Sequence, residues 1–427
     1  VTTAHHVADR PSEPDVPAPT SGGPAAPGAP GHRPTAAADT VGAATSLLDA
    51  YEPGRARFFA SPTRTLLAHG VRAEVPHGTA PLVQRVTETL DAQLLAGNQA
   101  PVVIGAVPFD PTAPAALAVP EAVRWAPPLA EDPLIALPAA APALACWDIR
   151  PVPEPAVYGA AVAEAVRRMK RGDFSKVVLA RTLELSSDRE LDLPALLQRL
   201  ARRDPSGYTF AVPSAPGRTL LGASPELLVA RRGRTLVANP LAGSTPRSAD
   251  LAEDVRRAAA LLQSEKDLHE HAVVVDAVRE ALAPFARTLD VPARPTLVRT
   301  AAMWHLSTTV TGELADPAVS ALELASALQP TPAVCGTPTD VARDVINELE
   351  PFDRGAYTGM VGWGDARGDG EWVVTIRCAE AEGRTLRLFA GAGVVEQSSP
   401  EAETAETGAK FRTFLDAVGA DQQEAGR

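Results

Sequence analysis

The stretch from Gly370 to Lys410 reads GEWVVTIRCAEAEGRTLRLFAGAGVVEQSSPEAETAETGAK and constrains the fold more than any other part of the chain. Two alternating runs, Trp372 to Ala379 and Thr385 to Ala390, have the period of two that sends side chains to opposite faces of a sheet. The polar turn at Glu382 to Arg384 predicts that they pair antiparallel, with Arg377 on the first strand. The second run enters Ala390-Gly391-Ala392-Gly393, expected as a glycine-rich turn where missing side chains let a ligand approach main-chain N–H groups. Ser399-Pro400 has the form of a helix start, with proline at the first helical position. On that helix Glu403, Glu406 and Lys410 fall at i, i+3 and i+7 and share one face. This face is either a solvated ion-paired surface or, with Gly408 leaving room inside the helix, a wall that meets an acidic ligand.

Composition narrows the classes. With 427 residues, 45% of them hydrophobic, the chain can bury a sizeable core. A formal net charge of −12 with no basic run argues against a nucleic-acid binder, which needs concentrated Lys and Arg to neutralise phosphates. Cys146, Cys335 and Cys378 lack CxxC spacing, so neither a disulfide framework nor a thiolate zinc site is expected, and a reducing cytoplasm fits. No apolar run reaches the ~18 residues of a membrane helix, and no secretory leader is recognisable. Residues 1–39 are rich in Pro, Ala, Gly, Ser and Thr and are expected to form a disordered leader.

The remainder, 40–420, reads as a single α+β catalytic domain, with an N-terminal half at 40–147 and a motif-rich half at 148–420. The Ala/Pro tract from Pro133 to Pro142 is expected to be a surface loop between the halves, without dividing independent domains. Val157 to Arg171 and Leu191 to Arg203 have helical periods, and Lys176 to Leu185 alternates as a strand. Tyr208 to Val212, Thr219 to Ala223, Leu227 to Ala230 and Thr235 to Ala238 form a meander punctuated by Pro-Gly, Ser-Pro and Arg-Gly turns. Asp250 to Phe285 is expected as one long helical region, Thr296 to Leu314 as strand-like, and Ala318 to Leu328 as a helix. No repeat of 20 to 50 residues suggests a solenoid or propeller, and no heptad seam argues for an obligate coiled-coil oligomer.

Several side chains are candidates for chemistry. Lys176 begins the apolar strand KVVLAR, where it is either a desolvated general base or an edge-strand gatekeeper. Glu226 follows Ser224-Pro225 among apolar neighbours and is either a protonated acid or a turn carboxylate. Gly243 and Ser244 in NPLAGS suit a loop that offers N–H groups to a carboxylate. Glu270, in SEKDLHEH, supplies a hard oxygen ligand that can face Glu403 and Glu406 across a divalent ion. His269 and His271 do not share a helix face and form no HExxH site. His305, in MWHLS, is a satisfied core histidine or a donor to a substrate oxygen. Trp304, Trp363 and Trp372 read as core packing.

Taken in order, KVVLAR, LGASPELL, NPLAGS, SEKDLHEH, MWHLS, LQPTPAVCG, ELEPFDR, GEWVVTIRCA, LFAGAGVV and ETGAKF resemble the chorismate-utilising enzymes, specifically the siderophore-type isochorismate synthases. These motifs span Lys176 to Phe411, and FFASPTRTLL from Phe58 extends the similarity into the N-terminal half. The resemblance implies antiparallel sheets packed as a sandwich, helices outside, and a Mg²⁺-dependent pocket. It gives Lys176 the role of general base and Glu226 that of general acid. Glu270 and Glu406 would hold Mg²⁺, with Glu403 nearby or bound through water. Gly243, Ser244, His305, Ala333, Tyr357, Ile376, Arg377, Gly391 and Lys410 match positions around the substrate.

Within the family, Lys176 argues against the ammonia-using relatives, so no amidotransferase subunit is expected. Ala242 stands where aminodeoxychorismate synthases carry a nucleophilic lysine. The expected reaction is reversible conversion of chorismate to isochorismate for a 2,3-dihydroxybenzoate siderophore, by a cytoplasmic monomer without membrane or nucleic-acid partners. Tyr357 resembles the tyrosine of salicylate synthases, which keeps pyruvate elimination as the alternative; Ile376 and the KDLHEH text favour isochorismate. A non-catalytic chorismate-binding sensor is the remote alternative.

Overall fold

The computed structural model describes residues 40–141 and 145–420, so the expected leader lies outside the described residues. Two large sheets, antiparallel throughout, form the body. The ten-stranded sheet runs from Gly336–Thr337 through Lys176–Ser187, Thr385–Val394, Cys378–Glu382, Arg218–Ser224, Tyr208–Ala215, Ala56–Ser61 and Arg64–His69 to Ala122–Ala126. Trp147–Val152 also pairs with Lys176–Ser187. The nine-stranded sheet runs from Ala286–Asp290 through Val310–Leu314, Thr235–Asn239, Leu227–Arg232, Gly370–Val374, Met360–Asp365, Val102–Val107 and Ala116–Val119 to Ala73–Glu74. Leu241–Pro246, Met303–Ser307 and Thr296–Arg299 make a small third sheet.

The period of two decides which face each side chain joins. Phe59, Phe210 and Leu220 bury between the large sheets with Ile104, Val361 and Val373. Their neighbours Phe58, Ala211 and Leu221 turn outward and pack beneath the helices Ala43–Asp49, Leu193–Arg203 and Pro400–Val418. On the far side Trp372 and Val374 meet residues of Leu82–Leu95, Glu265–Leu282 and Ala321–Leu328. Each large side chain so buried contributes roughly 1.5–3 kcal/mol of hydrophobic stabilisation. The result is the expected sandwich with helices outside. Strands from 40–147 and from 148–420 share both large sheets.

The chain passes between the two sheets at adjacent points. Arg218–Ser224 belongs to the ten-stranded sheet and Leu227–Arg232 to the nine-stranded one; Gly370–Val374 and Cys378–Glu382 make the reverse passage. The crossings are bonded to each other. Ser224 Oγ donates to the Val374 carbonyl at 2.7 Å. The Val374 N–H donates to the Glu226 carbonyl at 3.1 Å, and the Ala223 N–H to the Arg377 carbonyl at 3.0 Å. Arg377 takes φ +49, a left-handed conformation that costs an L-residue energy. The expected single strand Trp372 to Ala379 is therefore two strands in different sheets. Its alternation persists because both sides of the break are buried, and periodicity does not report a change of partner.

Other boundaries differ for identifiable reasons. Asp250 to Phe285 is two helices, Leu251–Leu261 and Glu265–Leu282, because Ser264 caps the second by accepting from the Asp267 N–H at 3.3 Å. Thr296 to Leu314 divides into three strands across two sheets. Ala390 to Gly393 is no turn: it lies within Thr385–Val394, with Gly391 opposite Ala180 and Gly393 opposite Val178. The Pro133 tract opens as a packed turn, with Ile135 buried and Asp132 accepting from the Thr45 N–H at 2.9 Å; residues 142–144 lie outside the described residues. No described helix is long and apolar enough to cross a membrane. Trp363 and Trp372 are buried as expected, while Trp304 donates to Asp254 at 3.0 Å.

Ser224 tests the crossing directly. Its hydroxyl donates to Val374 and accepts from the Glu226 N–H at 3.2 Å. Ser224→Ala leaves the buried Glu226 N–H without its acceptor, while the Val374 carbonyl keeps the Ile376 N–H at 2.9 Å, and is expected to lower unfolding free energy by about 1–3 kcal/mol in urea titrations.

Candidate functional site

A cleft opens where the crossings meet the small sheet and the terminal helix. Glu226, Gly243, Ser244, Glu270, His305, Ala333, Tyr357, Ile376, Arg377, Gly391, Glu406 and Lys410 all line it. Residues separated by nearly 200 positions in sequence thus converge. Two expected site residues do not line it. Lys176 stands just behind the wall, joined to Glu270, and Glu403 lies one helical turn before Glu406, buried at 2% exposure.

Each element has a local reason for its place. Lys176 is held on an interior strand, paired on one side to Thr337 and along its length to Thr385–Val394, so the gatekeeper reading fails. Its Nζ lies 2.8 Å from Glu270 Oε1. Gly393 makes room for this pair: a Cβ there would stand 2.6 Å from Glu270 Oε1 and 3.3 Å from Lys176 Cε. Gly391 likewise faces the Tyr357 hydroxyl, 2.8 Å from where its Cβ would be. The glycines of LFAGAGVV therefore clear side-chain space within a strand, rather than forming a turn.

Gly243 and Ser244 sit on the bulged strand Leu241–Pro246, where Ser244 pairs with His305 and the register shifts after Leu241. Gly243 adopts φ +76 at the bulge. His271, the neighbour of Glu270, braces this bulge through Nδ1 to the Ala242 carbonyl at 3.2 Å and Nε2 to Thr308 Oγ1 at 2.7 Å. The terminal helix is fixed from the sheet: Arg181 Nε donates to Thr407 Oγ1 at 2.8 Å, and Lys410 Nζ reaches the Gly391 carbonyl at 2.8 Å and Glu406 Oε1 at 2.7 Å.

Burial sets the protonation states. Glu226 is 3% exposed, and desolvation raises it to about 8 against the weaker opposing effects of the Leu241 N–H, Lys176 and Lys410. It is a neutral acid at pH 7. Burial, then Arg377 and Lys410, push His305 well below the usual imidazole range, so the ring is neutral. Its Nε2 is buried without a hydrogen-bond partner. Burial lowers Arg377 to about 10, with Glu406 and Tyr357 opposing; among the described residues its guanidinium forms no ion pair. Burial raises Glu270, but Lys176, Lys410 and Lys266 outweigh it and the carboxyl ends below its ordinary value. Burial and then Glu406 raise Glu403.

The acids Asp267, Glu270, Glu403 and Glu406 repel one another in a partly desolvated space, and Asp267 is raised by burial and by Glu270. Hard carboxylate oxygens under mutual repulsion fit a divalent cation such as Mg²⁺. Among the described residues no three of the metal-ligating type already stand at ligating separation. Lys266 and Asp267 line the cleft and were missed by the sequence reading. Their signal was available, since they precede Glu270 by four and three residues on one helix face.

A neutral acid, cations and a carboxylate group around one cleft between antiparallel sheets define a site for a small polycarboxylate. Residues 141–419 match the model of the chorismate binding enzyme family, and the chain belongs to that family. It is 55% identical over 389 residues to the isochorismate synthase DhbC of Bacillus subtilis, covering 88% of this chain and 97% of that one. It is 43% identical to the vibriobactin-specific isochorismate synthase of Vibrio cholerae, covering 85% and 91%. The crystal structure of a Bacillus anthracis protein proposed as a 2,3-dihydroxybenzoate-specific isochorismate synthase superposes with a TM-score of 0.83 at 49% identity, covering 88% of this chain and all of that one.

The raised Glu226 has a measurable sign. Its folded pKa exceeds the ordinary 4.5, so as pH climbs from there to about 8 the unfolded chain releases this proton while the folded chain keeps it. Stability falls by about 1.4 kcal/mol per pH unit from this group alone. Glu226→Gln is expected to flatten that slope in urea titrations from pH 5 to pH 8; an unchanged slope contradicts the burial effect.

Proposed function

We propose that this chain is an isochorismate synthase, an isomerase that interconverts chorismate and isochorismate. The observation that carries the reading is a burial-neutralised Glu226 in the same cleft as Arg377, Lys410 and the carboxylate group. The relatives support it over salicylate formation, and they support a 2,3-dihydroxybenzoate siderophore as the end use.

The chemistry requires water to attack one ring carbon while a hydroxyl departs from another, with the diene shifting between them. Lys176 takes the proton from water as general base, and its ammonium form is stabilised by Glu270 at 2.8 Å. Glu226 gives its proton to the departing hydroxyl, the step for which a carboxyl near pKa 8 is suited. Arg377, Lys410 and the N–H groups near Gly243 and Ser244 receive one substrate carboxylate. His305 Nε2, buried without a partner, is available to a substrate oxygen. Glu270 and Glu406, with Glu403 behind them, would hold Mg²⁺, which supplies charge stabilisation for the ring carboxylate. No redox group is required. The enzyme acts as a cytoplasmic monomer without an amidotransferase.

Incubation with chorismate and Mg²⁺, followed by chromatographic separation, is expected to yield isochorismate; predominant salicylate would overturn the product assignment. Lys176→Ala is expected to lower kcat at least 100-fold with KM changed less than fivefold, because a general base acts in the transition state, where such groups contribute roughly 10²–10⁴-fold. Glu270→Gln is expected to raise the Mg²⁺ concentration giving half-maximal rate; an unchanged titration removes Glu270 as a ligand.

A further inference from the structure

Behind the cleft lies a buried ion pair that the reaction scheme leaves unused. Glu350 and Arg354 stand four residues apart in the segment that follows the helix Thr339–Leu349, both side chains 3% exposed. Every N–H of the Arg354 guanidinium has an acceptor. Nε donates to Glu350 Oε2 at 2.8 Å and Nη2 to Glu350 Oε1 at 2.5 Å. Nη2 also donates to the Val178 carbonyl at 2.7 Å, and Nη1 to the Val334 carbonyl at 2.9 Å and Thr358 Oγ1 at 3.1 Å. Glu350 Oε1 in turn accepts from the Ala180 N–H at 2.7 Å. The guanidinium lies over the rings of Phe109 and Tyr357, 4.8 and 5.7 Å from their centroids.

The partners share a property. Val178, Val334, Thr358 and Tyr357 all line the cleft, whereas Arg354 does not. They come from three separate segments: the strand that begins at Lys176, the turn after Ala333, and the turn where Thr358 adopts φ +59. A non-glycine residue persists in that conformation only when its surroundings over-determine it. Thr358 Oγ1, besides accepting from Arg354, donates to the Tyr357 carbonyl at 2.6 Å, and the Tyr357 ring stacks on Phe389 at 5.0 Å. One planar cation therefore fixes the relative positions of three wall segments, and only arginine offers five donors in a rigid fork.

We propose that Arg354 is a positioning residue for the isomerisation: through Val178, Val334 and Thr358 it sets the wall that aligns the substrate ring against Lys176 and Glu226. The proposal rests on the chorismate reading above. A role confined to stability would lower the melting temperature and leave turnover per folded molecule intact, whereas misalignment of about 1 Å costs rate on the order of 100-fold.

The test uses the full chain with Arg354→Lys, Thr358→Val and the double variant, each normalised to folded protein by circular dichroism. Arg354→Lys retains the charge opposite Glu350 and is expected to lower kcat/KM at least 20-fold, mostly in kcat. Thr358→Val removes one acceptor and is expected to lower it about fivefold per folded molecule, with a modest fall in melting temperature. The double variant is expected to lose no more than Arg354→Lys alone, since Thr358 is one of the contacts through which Arg354 acts. Turnover within twofold of wild type for either single variant, or multiplicative losses in the double, overturns the proposal. If Arg354→Lys does not fold, Thr358→Val decides alone, with unchanged kinetics counting against it. Wild-type protein run in parallel separates the two claims: failure to consume chorismate refutes the proposed function, and the calorimetric affinity of the same variants for chorismate then decides the wall's role, an unchanged affinity counting against it.

Discussion

The double passage of the chain between its two large sheets is the constraint from which the site follows. At each crossing a few residues leave one ladder before joining the next, and Glu226 and Arg377 are among them. Hydrogen bonds from Ser224, Val374 and Ala223 tie the crossings together, so an acid from one and a cation from the other hold a fixed separation.

Electrostatics then make a local environment that the acidic chain as a whole does not have. Glu270 stands against Lys176, Glu403 lies 3.8 Å from Lys266, and Glu406 lies against Lys410. Burial keeps Glu226 neutral, which removes a negative charge that would oppose an anion, and keeps His305 neutral, which removes a positive charge that would draw the proton off Glu226. Arg377 remains cationic with no carboxylate partner of its own among the described residues. The formal charge of −12 is thus compatible with an anionic substrate because charge is sorted by position.

Much of this was legible from sequence. Alternation located the strands of both meanders, Ser399-Pro400 marked the terminal helix, and the ordered motifs pointed to twelve of the residues that line the cleft. What alternation could not give was partnership: Trp372 to Ala379 keeps its period while changing sheets, since burial on both sides of the break hides it. The glycines at 391 and 393 suggest a turn that opens main-chain N–H groups to a ligand, when their purpose is space for Tyr357 and for the Lys176–Glu270 pair. Lys266 and Asp267 were overlooked although helical spacing put them beside Glu270. Arg354 was visible only as part of a motif, because its acceptors are mostly backbone carbonyls that carry no sequence signal.

The order of strands in the ten-stranded sheet has a consequence for biosynthesis. Cys378–Glu382 and Thr385–Val394 insert between Lys176–Ser187 and Arg218–Ser224, which leave the ribosome far earlier. Until the closing hairpin emerges, two long, apolar strand edges face each other across a gap with their ladder groups unpaired. The nascent polypeptide therefore carries this aggregation hazard from the emergence of Arg218–Ser224 until the hairpin is made, and shielding by chaperones matters most over that interval.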